Sequence, residues 1–247
     1  MGGVSLEVQD GRGVKVDKQA DRIREMFAEI SPRYDFLNHF LSCGQDVLWR
    51  RKVAQLLTGL GRGPVLDVCC GTGDLILEFF RVVRHQVPLV GIDFCRSMLR
   101  LAQKKAQKKG AKIWFIEGDG LTLPFPEDQF ATVAVAFGLR NMADMRRGLA
   151  EMYRVCRPEG QVAVLEFTLP RAPVFGKFYR YYFQYVLPRI GQWLAPNRHE
   201  AYGYLPASVL EFPQGNSLLR EMEAAGLKHL WYRSFTFGVA TLYVGTK

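Results

Sequence analysis

Four short polar stations in this chain could do chemistry, and each follows an apolar run. Asp67 lies four residues before Gly71-Thr72-Gly73, and Asp74 follows at once. Asp93 comes twenty positions after Gly73, Asp119-Gly120 later, and Arg140-Asn141 after a fourth apolar run. Glycines let a backbone turn sharply and approach a ligand with no Cβ in the way. A dinucleotide fingerprint would need a third glycine where Ile76 stands, and a phosphate loop would need Gly-Lys-Ser/Thr, which does not follow. A carboxylate at Asp74, where a helix pattern begins, repels phosphate and suits a cationic, phosphate-free ligand. Asp93 is placed to accept both hydroxyls of a ribose, and Asp119 with Gly120 to meet the amino group of an adenine. A guanidinium stays protonated, so Arg140 can stabilise an anion but is a poor base. The blander readings are a turn residue at Asp93, a surface ion pair at Arg140 and a helix cap at Asn141.

The elements that must position these stations alternate as in an α/β domain. Val65 to Val68 reads as a buried parallel strand, and Leu75 to Val83 as the helix after the glycine turn. A second strand, 87–92, ends at Asp93. A helix over 97–109 is stopped by Gly110. Strands follow at 113–116 and 130–137, then a helix from Met142 to Cys156 closed by a turn at Pro158-Glu159-Gly160, then a fifth strand at 162–167. Met98, on the second helix, reads equally as an apolar wall for an adenine and as ordinary core. Asn216 reads as the cap of a helix through Ala225. Two late strands, 229–236 and 239–244, flank so short a turn that they must be antiparallel. The fold class expected is α/β, a Rossmann-like sheet of seven strands, parallel with a C-terminal antiparallel hairpin. Ligands bind beyond the carboxyl ends of such strands, where all four stations fall. The glycine turn with its preceding acid resembles the first motif of S-adenosylmethionine (SAM) methyltransferases, whose cofactor carries an ammonium and a sulfonium. Asp67, Gly71, Thr72, Gly73, Asp93, Met98, Asp119 and Gly120 are therefore the candidate cofactor residues.

The 247 residues fit one large domain, with 18–247 as the methyltransferase unit and 1–17 as a flexible N-terminus. Within it, 18–60 forms a helical preface, broken at Ser31-Pro32, and 168–215 an insertion crowded with Phe and Tyr. No apolar run reaches about 18 residues, and no secretory pattern opens the chain. Five cysteines without a C-x-x-C pair fit a reducing cytosol better than a disulfide framework. Cys69-Cys70 and the scattered histidines lack the spacing of a metal site, so no metal is expected. The net charge of +9 points to an anionic partner, nucleic acid or acidic lipid. The lysines from Lys104 to Lys112 read better as a solvated helix face.

The stretches Tyr34-Asp-Phe-Leu-Asn-His-Phe-Leu-Ser42 through Trp49, Gly138-Leu-Arg-Asn141, and Arg154 to Thr168 resemble signatures of the ubiquinone/menaquinone-biosynthesis C-methyltransferase family. So do Val186 to Gly191 and Ala201 to Ser208. The likeness covers nearly everything from residue 20 onward. It implies SAM-dependent methylation of a ring carbon of a polyprenylated quinol, a naphthoquinol first and a methoxy-benzoquinol second. On that reading Arg140 stabilises a quinol phenolate, Asn141 orients it, Tyr34 forms part of a lid and substrate wall, and Asp35 is the candidate proton acceptor. The aromatic insertion, carrying Lys177, Arg180 and Arg189, would take the prenyl tail at a membrane surface. Partners are then a polyprenyl quinol and transient membrane contact at the inner face of the membrane, with a homodimer admitted and no nucleic acid expected. The chain departs from the family pattern at Asp46, where a histidine is usual, at Ala136, where serine is common, and at Cys69-Cys70. The rivals are an RNA or other small-molecule methyltransferase using the same cofactor, and a non-catalytic SAM-binding subunit.

Overall fold

A computed structural model describes residues 18–57, 62–170, 172–187, 189–190 and 201–247. Residues 1–17 lie outside these, as do 58–61 at the end of the preface and 191–200 of the insertion. Seven strands form one sheet in the order β3-β2-β1-β4-β5-β7-β6. The strands are β1 (Val65–Val68), β2 (Leu89–Asp93), β3 (Trp114–Glu117), β4 (Phe130–Ala136), β5 (Cys156–Phe167), β6 (Lys228–Phe235) and β7 (Ala240–Thr246). The pairs from β3 across to β5 are parallel. β7 pairs antiparallel with both β5 and β6, so it alone runs against the others. The expected hairpin is thus present, with its second strand inserted next to β5.

The central strands read as apolar runs because helices cover both faces. On one face α6 (Met145–Val155) and α9 (Asn216–Ala224) bury Leu149, Met152, Leu218 and Met222 against Leu66, Val133 and Val164. On the other, α3 (Gln45–Leu56) and α4 (Asp74–Val83) bury Trp49, Val53, Ile76 and Phe79 against Val65, Ala134 and Leu165. α5 (Arg96–Lys108) buries Met98, Leu99 and Ala102, and ends with Gly110 at φ 62°, as its sequence predicts.

Two further helices precede α3 in the preface, α1 (Ala20–Ile30) and α2 (Tyr34–Leu41), separated by a 3-10 turn at Ser31–Arg33. The insertion supplies α7 (Pro173–Tyr181), a π-helical turn (Tyr182–Val186) and α8 (Ala201–Glu211). Preface and insertion share a small core of their own, in which Leu37 packs with Phe183, Leu187 and Val209. They form one cap over the carboxyl ends of the strands.

Two local readings are corrected. Pro158-Glu159-Gly160 does not close α6 before the fifth strand. β5 already begins at Cys156 opposite Phe130, and the pairing then jumps to Thr132 with Gln161. The Pro-Glu-Gly stretch is a bulge inside the strand, with Glu159 at φ 63°. Asn216 does not cap α9. Gly215, at φ 61° and ψ −131°, is the N-cap, and Asn216 is the first helical residue.

Candidate active site

The chain turns left-handed at non-glycine residues immediately after two neighbouring strands. Cys69 follows β1 at φ 53°, and Phe137 follows β4 at φ 59°. Such backbone is costly for side-chain-bearing residues and collects at functional sites. Here it re-aims two loops toward a common cleft. Gly71 (φ 55°) and Gly73 (φ 82°) complete the turn, and a Cβ on Gly73 would meet Ala102 of α5 at 3.1 Å.

The cleft beyond β1, β2 and β4 is lined by Gly71, Asp93, Met98, Phe137 and Asn141, with Phe94 and Tyr34 closing it. Asp93 organises it. Its carboxylate accepts the backbone N–H of Gly71 and of Cys95, both at 2.8 Å. Burial pushes its pKa up to about 6, against the pull of those two N–H groups. Asn141 donates to the Phe137 carbonyl at 3.2 Å, and its Oδ1 is buried without a partner among the described residues. A buried orphan acceptor beside a carboxylate suits a cationic ligand that also carries hydroxyls. The ammonium and ribose of S-adenosylmethionine fit that demand, and no phosphate would.

Not every predicted cofactor residue reaches the cleft. Asp67 is buried beneath the turn, where burial pushes its carboxyl well up while Arg50 opposes the shift. Asp119 accepts the Leu121 N–H at 2.9 Å and so shapes its own loop, and Gly120 packs under Met142. Thr72 donates to Asp35 at 2.5 Å and accepts from Lys105 at 3.0 Å. Asp74, read as the carboxylate that repels phosphate, is paired with Lys105 at 2.5 Å. Cys69 lines the cleft, but burial, reinforced by the charge of Asp93, raises its thiol well above the ordinary range. A neutral thiol is not a nucleophile.

A second, larger cavity of about 360 Å³ adjoins the first, with Phe27, Tyr34 and Phe137 on the wall of both. Most of its lining is apolar or aromatic, including Trp49, Phe167, Tyr179, Tyr182 and Phe183. Arg140 enters this wall from a 3-10 turn, Leu139–Asn141. Its Nη1 donates to Glu166 at 2.8 Å and to the Phe137 carbonyl at 2.5 Å. Its backbone N–H also donates to Glu166, at 3.2 Å, and its guanidinium stacks over Phe167. Its Nε is buried and unpartnered among the described residues, as is the Tyr204 hydroxyl on the same cavity. Burial pushes that phenol up to about 12.

Asp35 does not line the cavity. Its carboxylate accepts from Thr72 and pairs with Lys105 at 2.7 Å. It therefore latches the preface onto the glycine turn, and the reading of Asp35 as proton acceptor is corrected on that ground. Asn141 lies on the cofactor side of the boundary, and Tyr34 is shared. Sequence reasoning missed Glu166, Lys105 and Tyr204. Glu166 left a signal, a charged residue within the apolar run Val162 to Phe167. Lys105 was hidden in a basic helix face.

A parallel sheet with one reversed strand, a glycine turn after β1 and an acid after β2 define a class I, SAM-dependent methyltransferase. Across residues 15–247 the sequence matches the model of the ubiE/COQ5 methyltransferase family, and the chain belongs to that family. It is 48% identical over 235 residues to the demethylmenaquinone methyltransferase of Deinococcus radiodurans, covering 95% of this chain and 96% of the relative. It is 41% identical to the ubiquinone/menaquinone biosynthesis C-methyltransferase UbiE of Geobacter sulfurreducens, covering 94% and 91%. Among solved structures, a SAM-dependent methyltransferase of Thermotoga maritima aligns with a TM-score of 0.64 at 16% identity, covering 91% of this chain and 99% of that one. The [4+2]-cyclase SpnF aligns with a TM-score of 0.65 at 16% identity, covering 95% and 98%. A cyclase on the same scaffold shows that this likeness carries the fold and not the reaction.

The Asp93 geometry predicts a pH dependence. Ribose hydroxyls donate to a carboxylate and lose that acceptor when it is protonated. Cofactor affinity measured by calorimetry should be flat above about pH 7 and weaken as pH falls through about 6. Asp93→Asn should bind more weakly and lose the dependence. Because the folded pKa is raised, Asp93 acts oppositely on the stability of the free protein. Its contribution is fully present below the unfolded value of 3.8 and is lost as pH rises through about 6.

Proposed function

We propose that this chain methylates a ring carbon of a polyprenylated quinol, a naphthoquinol of the demethylmenaquinol type first and a methoxy-benzoquinol second. The observation that carries the reading is a buried guanidinium, Arg140, whose Nε has no partner among the described residues, in a largely apolar and aromatic cavity that shares three residues with the cofactor cleft. The relatives named as demethylmenaquinone methyltransferases support it.

Bound S-adenosylmethionine supplies an electrophilic methyl group. The chain must align the acceptor, exclude water and make a ring carbon nucleophilic. A phenolate beside that carbon does the last of these. Arg140 stabilises it, and Glu166 and the Phe137 carbonyl fix the guanidinium so that no reorganisation is needed at the moment of reaction. The unpartnered Nε of Arg140 and hydroxyl of Tyr204 are the groups left to meet the two acceptor oxygens. Phe27, Tyr34 and Phe137 separate the two cavities and hold the ring against the methyl donor. The cap of preface and insertion excludes water.

The prenyl tail has an exit at Phe175, which is on the cavity wall and also 37% exposed, in contact with Phe237 at 5.3 Å. Around it Val174, Phe178, Tyr181 and Phe237 are exposed, with Lys177 and Arg180 between them. Aromatic residues and cations so mixed suit an anionic lipid surface. Among the described residues no helix is long and apolar enough to cross a membrane. Phe178→Asp should lower co-sedimentation with anionic vesicles by about tenfold, an insertion cost in line with burying one aromatic side chain, and leave turnover of a short-tailed quinol unchanged. The reading itself is tested by turnover of labelled cofactor with each quinol class.

A further inference from the structure

Asp46 on α3 has an imidazole beside it, supplied by His39 on α2. His39 Nδ1 meets Asp46 Oδ1 at 3.0 Å and Oδ2 at 2.9 Å. Ser42 donates to Asp46 Oδ1 at 2.8 Å, and Arg50 donates to Oδ2. The Asp46 side chain is 3% exposed and lines the acceptor cavity, whereas His39 is 39% exposed and lies outside the lining. The pair thus spans the wall, with a carboxylate inside and an imidazole at solvent.

Ring methylation releases a proton that needs an acceptor, and the other candidates either lie off the cavity lining or are not bases at neutral pH. Asp35 is held by Thr72 and Lys105, outside the cavity. Glu166 is fully buried behind Arg140 and accepts three hydrogen bonds from Arg140 and Phe167. Arg140 is a guanidinium. Burial raises the phenols of Tyr34 and Tyr204, so both stay protonated. Asp46 is the one carboxylate among the described residues lining the cavity. Tyr34 stands between, hydrogen-bonded to Asn38 and within the field of both Arg50 and Arg140.

We propose that Asp46 and His39 form the proton exit of the acceptor site, Asp46 receiving protons on the cavity side and His39 passing them to solvent. This rests on the quinol reading above. The hydroxyl proton leaves first, giving the phenolate. The ring carbon then takes the methyl group, forming the C–C bond as the sulfur keeps the pair from the broken S–C bond. The ring C–H proton leaves next to the same pair of residues, and its electrons restore the aromatic phenolate. One proton returns to the oxygen and one is lost through His39, which balances a cationic donor against a neutral product. Burial would raise Asp46, but Arg50, Ser42 and His39 together hold it below its ordinary value, so it transmits protons and does not store them. The groups facing His39 are Asp46 on α3 and Asp74 on α4, all within 4.8 Å by their polar atoms, with Arg50 and Lys105 as counter-charges.

The test uses the full chain, S-adenosylmethionine and a short-tailed demethylnaphthoquinol, either plain or deuterated at the methylated carbon. His39→Ala and the conservative His39→Gln, which keeps a hydrogen bond to Asp46, should lower kcat by about 100-fold, as expected for a lost general base. KM and the calorimetric affinity for cofactor should each move by less than about threefold. A primary isotope effect on kcat should appear in both variants, and added imidazole should restore His39→Ala about tenfold. If wild type turns over the quinol but either variant keeps its kcat within about threefold, or shows neither isotope effect nor rescue, the exit is overturned and the quinol reading stands. If wild type methylates no quinol, the quinol reading itself fails.

Discussion

Arg140→Ala abolishes quinol methylation, lowering kcat by three orders of magnitude or about 4 kcal/mol of transition-state stabilisation. The same change weakens the fold. Glu166 lies fully buried and loses its only charged partner among the described residues, and breaking a buried pair from one side costs about 3–5 kcal/mol. The two effects separate in Arg140→Lys. A lysine keeps the charge opposite Glu166 and so most of the stability, but it has one nitrogen where Arg140 has three. It cannot hold Glu166 and the Phe137 carbonyl and still offer Nε to the acceptor. The expected result is a melting temperature near that of wild type with kcat still lower by about 100-fold. Cofactor affinity should not move, because Arg140 lies on the acceptor cavity and not on the cofactor cleft. A lysine variant with full turnover would sink the role given to the guanidinium.

Asp93→Ala has the second large effect, and it falls on the other ligand. The variant removes the acceptor offered to the ribose and leaves the N–H groups of Gly71 and Cys95 without their partner. Losing two hydrogen bonds to a charged group amounts to about 3 kcal/mol, or about 100-fold in cofactor affinity. Calorimetry should show that loss. kcat at saturating cofactor should fall far less, since Asp93 touches no group that changes charge in the reaction. A variant with wild-type affinity would mean that the ribose does not sit on Asp93.

What could be read from the sequence was what local spacing determines. The glycine turn, the acid after β2 and the cation after β4 each follow an apolar run, and the parallel sheet brings those strand ends together. Asp93 and Arg140 were legible for that reason. Long-range partners were not. Glu166 meets Arg140 across 26 positions, and Lys105 meets Asp35 and Asp74 across 70 and 31. Spacing says nothing about such pairs until the sheet order is known. One lysine on α5 holds both Asp35 and Asp74, a pairing that local spacing does not reveal. His39 and Asp46 face each other only because a left-handed turn at Cys43 and Gly44 folds α2 back against α3. Asn216 failed locally, since a glycine just before it could adopt the cap geometry instead.

The central claim is that the acceptor is a quinol and that the methyl group goes to ring carbon. Its most direct test is single-turnover methylation of a short-tailed demethylnaphthoquinol with methyl-labelled cofactor, with the product fragmented in a mass spectrometer. The predicted result is one label per ring, retained on the aromatic core after the hydroxyls are oxidised to the quinone. Label on oxygen, which that oxidation would expose, or no label on either quinol class beside labelled RNA, would contradict it.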